Sequence, residues 1–334
     1  MSEYSALQNS FDQIQEQLAR SVVGQEEVVE QLMIVLLAGG HCQFEGAPGA
    51  ARALTVAKLA AALGLTFSRI CCSSELLPED LVGAADDAAD SASLDDSSTE
   101  LIGGPLFANI IFLDDASRLA PKTAAVIQQA VLNTEVIIGS YRYLLADPHV
   151  VLAATYTDHD PPTTAEPRDD RYLMKISVRF PSYQDEYRIV ETASGPEGAC
   201  VAAVLNAEQL LEMRRQVREV VVPPYVIHYA LRLVRATRVH EGETADFIYE
   251  WVQAGAGTRA AHALTLAAKV RAALRGRNAA ECSDVHAMAL PVLRHRLVTN
   301  HNAHSNGVTV DRVVSRLLYE IPEREPGDET APQN

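Results

Sequence analysis

Apolar residues recur at helical spacing between residues 6 and 39. In IQEQLARSVVGQEEVVEQLMIVLLAGG two such stretches are broken at residues 22–24, and Gly39 with Gly40 ends the second. The period then changes. HCQFEG predicts a short strand, EGAPGAARAL a loop of small residues, ARALTVAKLAAALG a helix, and FSRICC a second strand. NIIFLDD is an apolar run that closes on two carboxylates. PKTAAVIQQAVLN follows as a helix with proline in its first turn. EVIIGSYRYLLA predicts a hairpin turning at Gly139 and Ser140, and HVVLAATY and MKISVRF predict two more strands.

Strands that alternate with helices predict an α/β fold, a parallel sheet covered on both faces. Beyond about residue 207 the strands stop. VIHYALRLVRATR, TRAAHALTLAAKVRAALRG, SDVHAMALPVLRHRL and VDRVVSRLLYEI all have helical periodicity. The chain therefore divides into an N-terminal helix (1–20), an α/β domain (21–200), an all-α domain (207–322) and a disordered tail (323–334), with the domain boundary inside residues 185–220. DDAADSASLDDSSTE, residues 86–100, predicts an exposed mobile loop. Its aspartates have no metal-ligand spacing.

At 334 residues the chain is long enough for two domains, and 48% hydrophobic with 22% charged residues is a globular composition. The net charge of −16 repels phosphate backbones, so nucleic acid is not the expected partner. No apolar run is long enough to span a bilayer, and the acidic, polar start is no signal peptide. Five cysteines lack metal or redox spacing, and the adjacent Cys71 and Cys72 read as packing residues of a reducing, cytoplasmic protein. His301 and His304 fall in a polar stretch that predicts a solvated loop rather than a metal site. Ser73, Ser74, Ser91 and Ser93 have neither a histidine nor a glycine elbow beside them, so nucleophilic catalysis has no support.

The loop of small residues carries the candidate chemistry. In a phosphate loop, GxxxxGK[ST], glycines let backbone N–H groups wrap the phosphates, lysine neutralises them, and the hydroxyl holds Mg²⁺. Here Gly46, Ala47, Pro48, Gly49 and Ala50 keep the first glycine and the Pro-Gly turn, while Ala51, Arg52 and Ala53 stand at the second glycine, the lysine and the hydroxyl.

The order strand, loop, helix, strand, then a strand ending in Asp114 and Asp115, resembles the MoxR family of AAA+ ATPases over roughly residues 20 to 320. SVVGQEEVVEQLMIVLLAGGH, SSELLPEDLVG, GGPLFANIIFLDDASRLAPKT, VIIGSYRYLL, GAGTRA and LPVLRHRL fall in the family's order. The resemblance implies a P-loop core with a five-stranded parallel sheet, a helical lid, and ATP-driven remodelling of client proteins. It also implies ring-shaped homo- or hetero-oligomers with AAA+ paralogues, often beside proteins with von Willebrand factor A domains. It assigns nucleotide contact to Val23, Gly24 and residues 46–53, and the metal-side carboxylate to Asp114. Asp115 stands at the family's water-orienting glutamate, Tyr156 at its sensor asparagine, and Gln129 at a helix glutamate. Arg171 in DDRY matches the arginine that reaches a neighbouring subunit's site, and Arg259 in GAGTRA the lid arginine that senses nucleotide.

Ala53 deletes a magnesium ligand, and Thr55, two positions on, points to another side of the helix. Asp114 retains the option of holding Mg²⁺ through water. Asp115 is one methylene short, which withdraws its carboxylate by roughly 1 Å, a misplacement that can cost about 100-fold in rate. Two readings stay open for Arg52: a phosphate partner, or a surface arginine on a first helical turn. Three functions follow. The leading one is a pseudo-ATPase with weak or absent ATP binding and doubtful Mg²⁺ binding, a regulatory or chaperone-like ring subunit. The others are an active ATPase using Arg52 and Asp115, and a structural module that binds no nucleotide.

Overall fold

The structure is a computed structural model that describes residues 3–19, 21–46, 51–83, 103–138, 141–156, 170–193, 201–239 and 245–324. The core elements run α1 (Glu3–Ala19), α2 (Glu26–Ala38), β1 (Cys42–Gly46), α3 (Arg52–Ala62), β2 (Phe67–Cys71), α4 (Pro78–Val82), β3 (Ile110–Asp114), α5 (Pro121–Asn133), β4 (Glu135–Ile138), β5 (Tyr141–Leu144), β6 (Val150–Tyr156), β7 (Met174–Val178) and α6 (Tyr183–Ala193). The lid follows as α7 (Ala207–Glu219), α8 (Pro224–Arg235), α9 (Asp246–Trp251), β8 (Val252–Ala254), α10 (Thr258–Leu274), α11 (Cys282–Leu293), β9 (Val298–Thr299), α12 (His301–Ser305) and α13 (Val310–Glu320).

Five strands form one parallel sheet in the order β2-β3-β6-β1-β7. Alternation along each strand sends Phe44, Ile110, Phe112, Val150 and Leu152 to one face, under α1, α2 and α3, in a core continuous with the lid. Ile111, Leu113, Val151 and Ala153 face the other way, into a smaller core with residues of α4 and α5. β1 lies between β6 and β7; α3 follows it on one face of the sheet and α5 follows β3 on the other, and the loop after β1 opens at the strands' C-terminal edge, where open α/β sheets bind ligands. β4 and β5 form a separate antiparallel pair; the expected turn at Gly139 and Ser140 lies outside the described residues.

α1 carries Leu7, Phe11, Ile14 and Leu18 at i, i+4, i+7 and i+11, and all four are buried. That stripe contacts α3 of the core and α10 of the lid, so α1 straps the two together. α10 presents alanines to its neighbours (Ala260, Ala263, Ala267, Ala268, Ala272), small side chains that let helices α8 and α11 approach closely. Asp284, fully buried on α11, accepts from Arg271 and Arg277, so its charge is paired.

Two expectations about the C-terminal part are corrected. Strands do not stop at residue 207: β8 pairs antiparallel with β9 inside the lid. Segments of three and two residues are too short to display a period. His301 and His304 lie on helix α12 rather than in a solvated loop: Asn300 caps that helix through Ala303 N–H, and His304 Nε2 lies 3.3 Å from Thr299 Oγ1. Residues 86–100 lie outside the described residues, as does the tail from 325 onward. Of the tail's first two residues, Glu323 accepts from Arg232 through its carbonyl, and the Arg324 guanidinium stacks over Tyr225 at 4.2 Å.

Candidate functional site

The site is built on the C-terminal ends of β1, β3 and β6. Gly46 closes β1, paired with Tyr156 on one side and Val178 on the other. A Cβ on Gly46 would stand 2.5 Å from the Val178 carbonyl oxygen, so only glycine fits. Ala47, Pro48, Gly49 and Ala50 lie outside the described residues. The chain re-enters at Ala51 with φ 52° and ψ 22°, a left-handed conformation disfavoured for alanine. It offers no side-chain cap to α3.

Arg52 follows as the first residue of α3. It is 6% exposed, which overturns the reading of a surface arginine. Its Nη1 donates to the carbonyl of Thr155 at 2.7 Å, crossing from the start of α3 to the end of β6. As the first residue of α3 it projects toward the end of β6, and the left-handed turn at Ala51 joins the loop to the helix there. Thr55 points elsewhere, as its spacing predicts: its buried Oγ1 donates to Gln25 Oε1 at 2.5 Å and lies 3.2 Å from the Ala51 carbonyl. That bond ties α3 to the residue beside Gly24. Ala53 is half-buried and has no polar atom to offer.

Asp114 ends β3 opposite Cys71 of β2. Its Oδ2 accepts from Nε of Arg69 at 3.1 Å and from Nη2 of the same guanidinium. Asp115 has φ 62° and ψ 57°, again left-handed. Its Oδ1 accepts from Ser117 Oγ at 2.7 Å, and its Oδ2 lies 3.9 Å from Arg118 Nε. The carboxylate is thus drawn into its own turn. Burial first, then the nearby Asp115 and Asp114 charges, push the Cys72 thiol up to about 12, so it stays protonated and inert. Thr155 and the Tyr156 backbone continue β6, while the Tyr156 side chain and Thr157 lie outside the described residues.

Arg171 and Arg259 come together beside these groups, in a cleft that Ser117 and Thr155 also line. The cleft, of about 680 Å³ on the α5 side of the sheet, has Gln43, Leu119, Ile127 and Gln128 among its walls. No described residue of the loop 46–53 lines it. Asp170, beside Arg171, accepts instead from Nε of the buried Arg296 at 2.6 Å, and Arg296 also donates to the carbonyls of Tyr172 and Leu173. Gly24 lines a separate cavity of about 300 Å³ with Arg179 and with Leu290 and Arg294 of the lid. Its φ is 71°, and a Cβ there would meet Asp185 Oδ2 at 2.8 Å. Val23 precedes it, half-buried.

Arg69 escaped the sequence reading. Its one signal was a charged residue in the middle of the strand FSRICC, aligned with NIIFLDD so that it reaches the first aspartate.

Comparison with known proteins places this geometry. Residues 41–174 match the family model for "ATPase family associated with various cellular activities (AAA)", and residues 249–317 match that for an AAA lid domain. The chain is 31% identical over 307 residues to the chaperone MoxR1 of Mycobacterium tuberculosis, covering 91% of this chain and 80% of that one. The chain belongs to the MoxR family of AAA+ ATPases. It is also 27% identical to YeaC of Bacillus subtilis, over 92% of each chain. The solved structure of a candidate ATPase from Cytophaga hutchinsonii superposes with a TM-score of 0.85 at 27% identity, covering 96% of both chains. As a MoxR-family protein the chain has the expected five-stranded parallel core and helical lid. Among the described residues no helix is long and apolar enough to cross a membrane.

Proposed function

We propose that this MoxR-family protein is a pseudo-ATPase, a regulatory or chaperone-like subunit of a cytoplasmic AAA+ ring. On this reading it binds ATP weakly, with little help from Mg²⁺, and hydrolyses it at background rate. The single observation that carries the proposal is the buried Arg52 guanidinium bonded to the Thr155 carbonyl. The residue at the lysine position is directed at the protein rather than left to face a phosphate.

The neighbouring groups support the same reading. Asp114 is engaged by Arg69, Asp115 by Ser117, and Ala53 has no oxygen, so the described residues do not fit a magnesium ion. Phosphoryl transfer rests on positioning and charge neutralisation, and the described groups at the lysine, magnesium and water-orienting positions are engaged or lack the needed atom. Arg171 and Arg259 share a cleft that no described residue of the loop lines, which suits service to a neighbouring subunit. The partners on this reading are intact AAA+ paralogues and, as in the family, proteins with von Willebrand factor A domains.

Steady-state hydrolysis by the purified protein tests the proposal. Turnover equal to a protein-free control is expected. Magnesium-dependent turnover that Asp114→Ala abolishes would sink it and favour the active-ATPase alternative. A second arm mixes the protein with an intact MoxR-type paralogue. Its ATPase rate should rise, and Arg171→Ala should remove the rise while assembly persists, because an arginine supplied in trans meets charge that builds only in the transition state.

A further inference from the structure

Arg171 reaches its cleft from a segment that stands outside the sheet. The described chain resumes at Asp170, and β7 begins only at Met174. On the sheet side the first described backbone bond runs from Leu173 N–H to the His41 carbonyl, at 2.8 Å. The lid holds the rest. A guanidinium has five N–H donors, and all five of Arg296, which is 3% exposed, are engaged. Nε donates to Asp170 Oδ1 at 2.6 Å and Nη1 to the Leu173 carbonyl at 3.1 Å. Nη2 donates to the Tyr172 carbonyl at 2.6 Å and to the Asp170 carbonyl at 3.4 Å. The remaining bond goes from Nη1 to the Val292 carbonyl, near the end of α11. Every other acceptor thus lies on residues 170–173, before and after Arg171. The preceding lid residue adds to the hold: His295 Nε2 lies 3.1 Å from the Tyr172 carbonyl, and since a carbonyl only accepts, that nitrogen carries the proton.

Joining a lid to a core needs less than this. Burying a cation is costly, and a well-packed apolar side chain of similar volume often does as well or better. What the guanidinium adds is direction. Its planar fork of fixed donors holds several backbone groups to one geometry, which neither a leucine nor the point charge of a lysine can do. A side chain is aimed by the backbone it leaves. Arg171, itself engaged within the chain, leaves the backbone between residues that the lid holds on both sides.

We propose that Arg296 is a positioning residue, which fixes the direction in which Arg171 leaves the backbone by clamping residues 170–173 to the end of α11. On the reading above, on which this part rests, Arg171 acts in a neighbouring subunit's site, and the clamp sets how far it speeds hydrolysis there. An arginine supplied in trans can be worth roughly 10³-fold, and a misplacement of about 1 Å can cost about 100-fold.

Two substitutions loosen the clamp: Arg296→Gln from the lid, and Asp170→Ala from the segment. The second removes a carboxylate at the rim of the contact and leaves the other four bonds, so it carries both readouts where the first fails to fold. The first readout is the ATPase of an intact MoxR-type paralogue mixed with each variant. Its kcat should fall about 100-fold from the value with wild type, while its KM and the concentration needed for mixing stay unchanged. Asp170→Asn, which keeps an acceptor for Nε, should retain most of the rate. The double substitution should lose no more than the larger single loss, because both cut one contact. The second readout needs no partner. In protein labelled with ¹⁵N-arginine, the Arg171 Nε resonance, assigned by its loss in Arg171→Ala, should report a rigid side chain in wild type and a mobile one in both loosened variants. An Arg171 resonance equally rigid in all of them would overturn the positioning. So would a loss of rate that comes only with weaker mixing or a raised KM, which would make Arg296 a plain anchor between lid and core. A wild type that assembles with the paralogue and leaves its rate unchanged sinks the trans reading alone, and the resonance then decides the positioning.

Discussion

Replacing Arg52 by alanine separates a structural strut from a phosphate ligand. The guanidinium is buried and donates to the Thr155 carbonyl at 2.7 Å. A hydrogen bond from a charged donor contributes about 1.5–3 kcal/mol. Its aliphatic stem adds about 0.8 kcal/mol for each buried methylene. Against these stands the relief of no longer burying a charge, which offsets part of the sum. The expected net loss is about 2–3 kcal/mol, a fall in the thermal midpoint on the order of 5 °C. Hydrogen exchange should localise it to the first turn of α3 and the end of β6, the two segments the bond joins. Arg52→Lys should recover part of the loss, since an ammonium can still donate once. ATP affinity measured by calorimetry should stay within about twofold of wild type, because a side chain occupied by protein contributes little to ligand. The opposite pattern refutes the reasoning: a stability change under about 0.5 kcal/mol with a tenfold or greater loss of ATP affinity would make Arg52 a waiting phosphate ligand.

Restoring Ala51→Gly, Arg52→Lys and Ala53→Thr together should tighten ATP binding at least tenfold and make it magnesium-dependent; turnover should stay low, because Asp115 and Tyr156 are unchanged, and calorimetry beside a phosphate-release assay checks both. Ala51→Gly alone should raise stability by up to about 1 kcal/mol in urea unfolding, since relief of a left-handed alanine outweighs the extra unfolded-state entropy of glycine. Acid should destabilise the fold through His41 and His149, whose values burial, above all, lowers from 6.5 to about 3 and about 4. The unfolded chain takes up protons near pH 6.5 while the folded one does not, so this stability is whole above pH 6.5 and declines as pH falls toward the folded values. At pH 5.5 each histidine costs about 1.4 kcal/mol; His295, lowered to about 3 chiefly by burial, adds a third such cost, so His149→Phe should remove about a third of the slope these three give to stability against pH in denaturant titrations.

Much of the core was legible because hydrophobic period and punctuation agree there. Strand, loop and helix at residues 41–64 follow from an apolar run, small residues and an alanine-rich amphipathic stretch, and β3 from an apolar run stopped by two carboxylates. What stayed hidden is set by geometry that no period encodes. Whether Arg52 faces solvent, a phosphate or the protein depends on how the start of α3 is packed against the end of β6. Arg69 meets Asp114 only once β2 and β3 are aligned in parallel register. β8 and β9 are shorter than any window that could reveal them. The placing of the two arginines is likewise a matter of sheet faces: Gln43, Ala153 and Leu113 put the Arg171 and Arg259 cleft on the α5 side, whereas Val56 and Leu59 of α3 pack into the core on the other face.

A site that has lost a ligand's contacts leaves charged and polar groups to be satisfied some other way, or the fold bears the cost of their burial. Here the substitutions come with replacements. The cation at the lysine position finds a carbonyl, the carboxylate at the metal position finds Arg69, and its neighbour finds Ser117. On the proposed reading this self-satisfaction is the functional change. A magnesium-bound nucleotide would have to open the Arg69 contact with Asp114 before gaining its own. If that costs about 3 kcal/mol, the competent state is populated below about 1%, and apparent affinity falls by the same factor. The converse matters more for a ring subunit. A site whose Arg52, Asp114 and Asp115 are already bonded to the protein has less order to gain from a nucleotide. On that reading the contacts of α1 with both α3 and α10 would hold the lid and its Arg259 against the core without nucleotide. The subunit would then offer its Arg171 and Arg259 face continuously, so that the timing of any cycle in a mixed ring lies wholly with the intact partner.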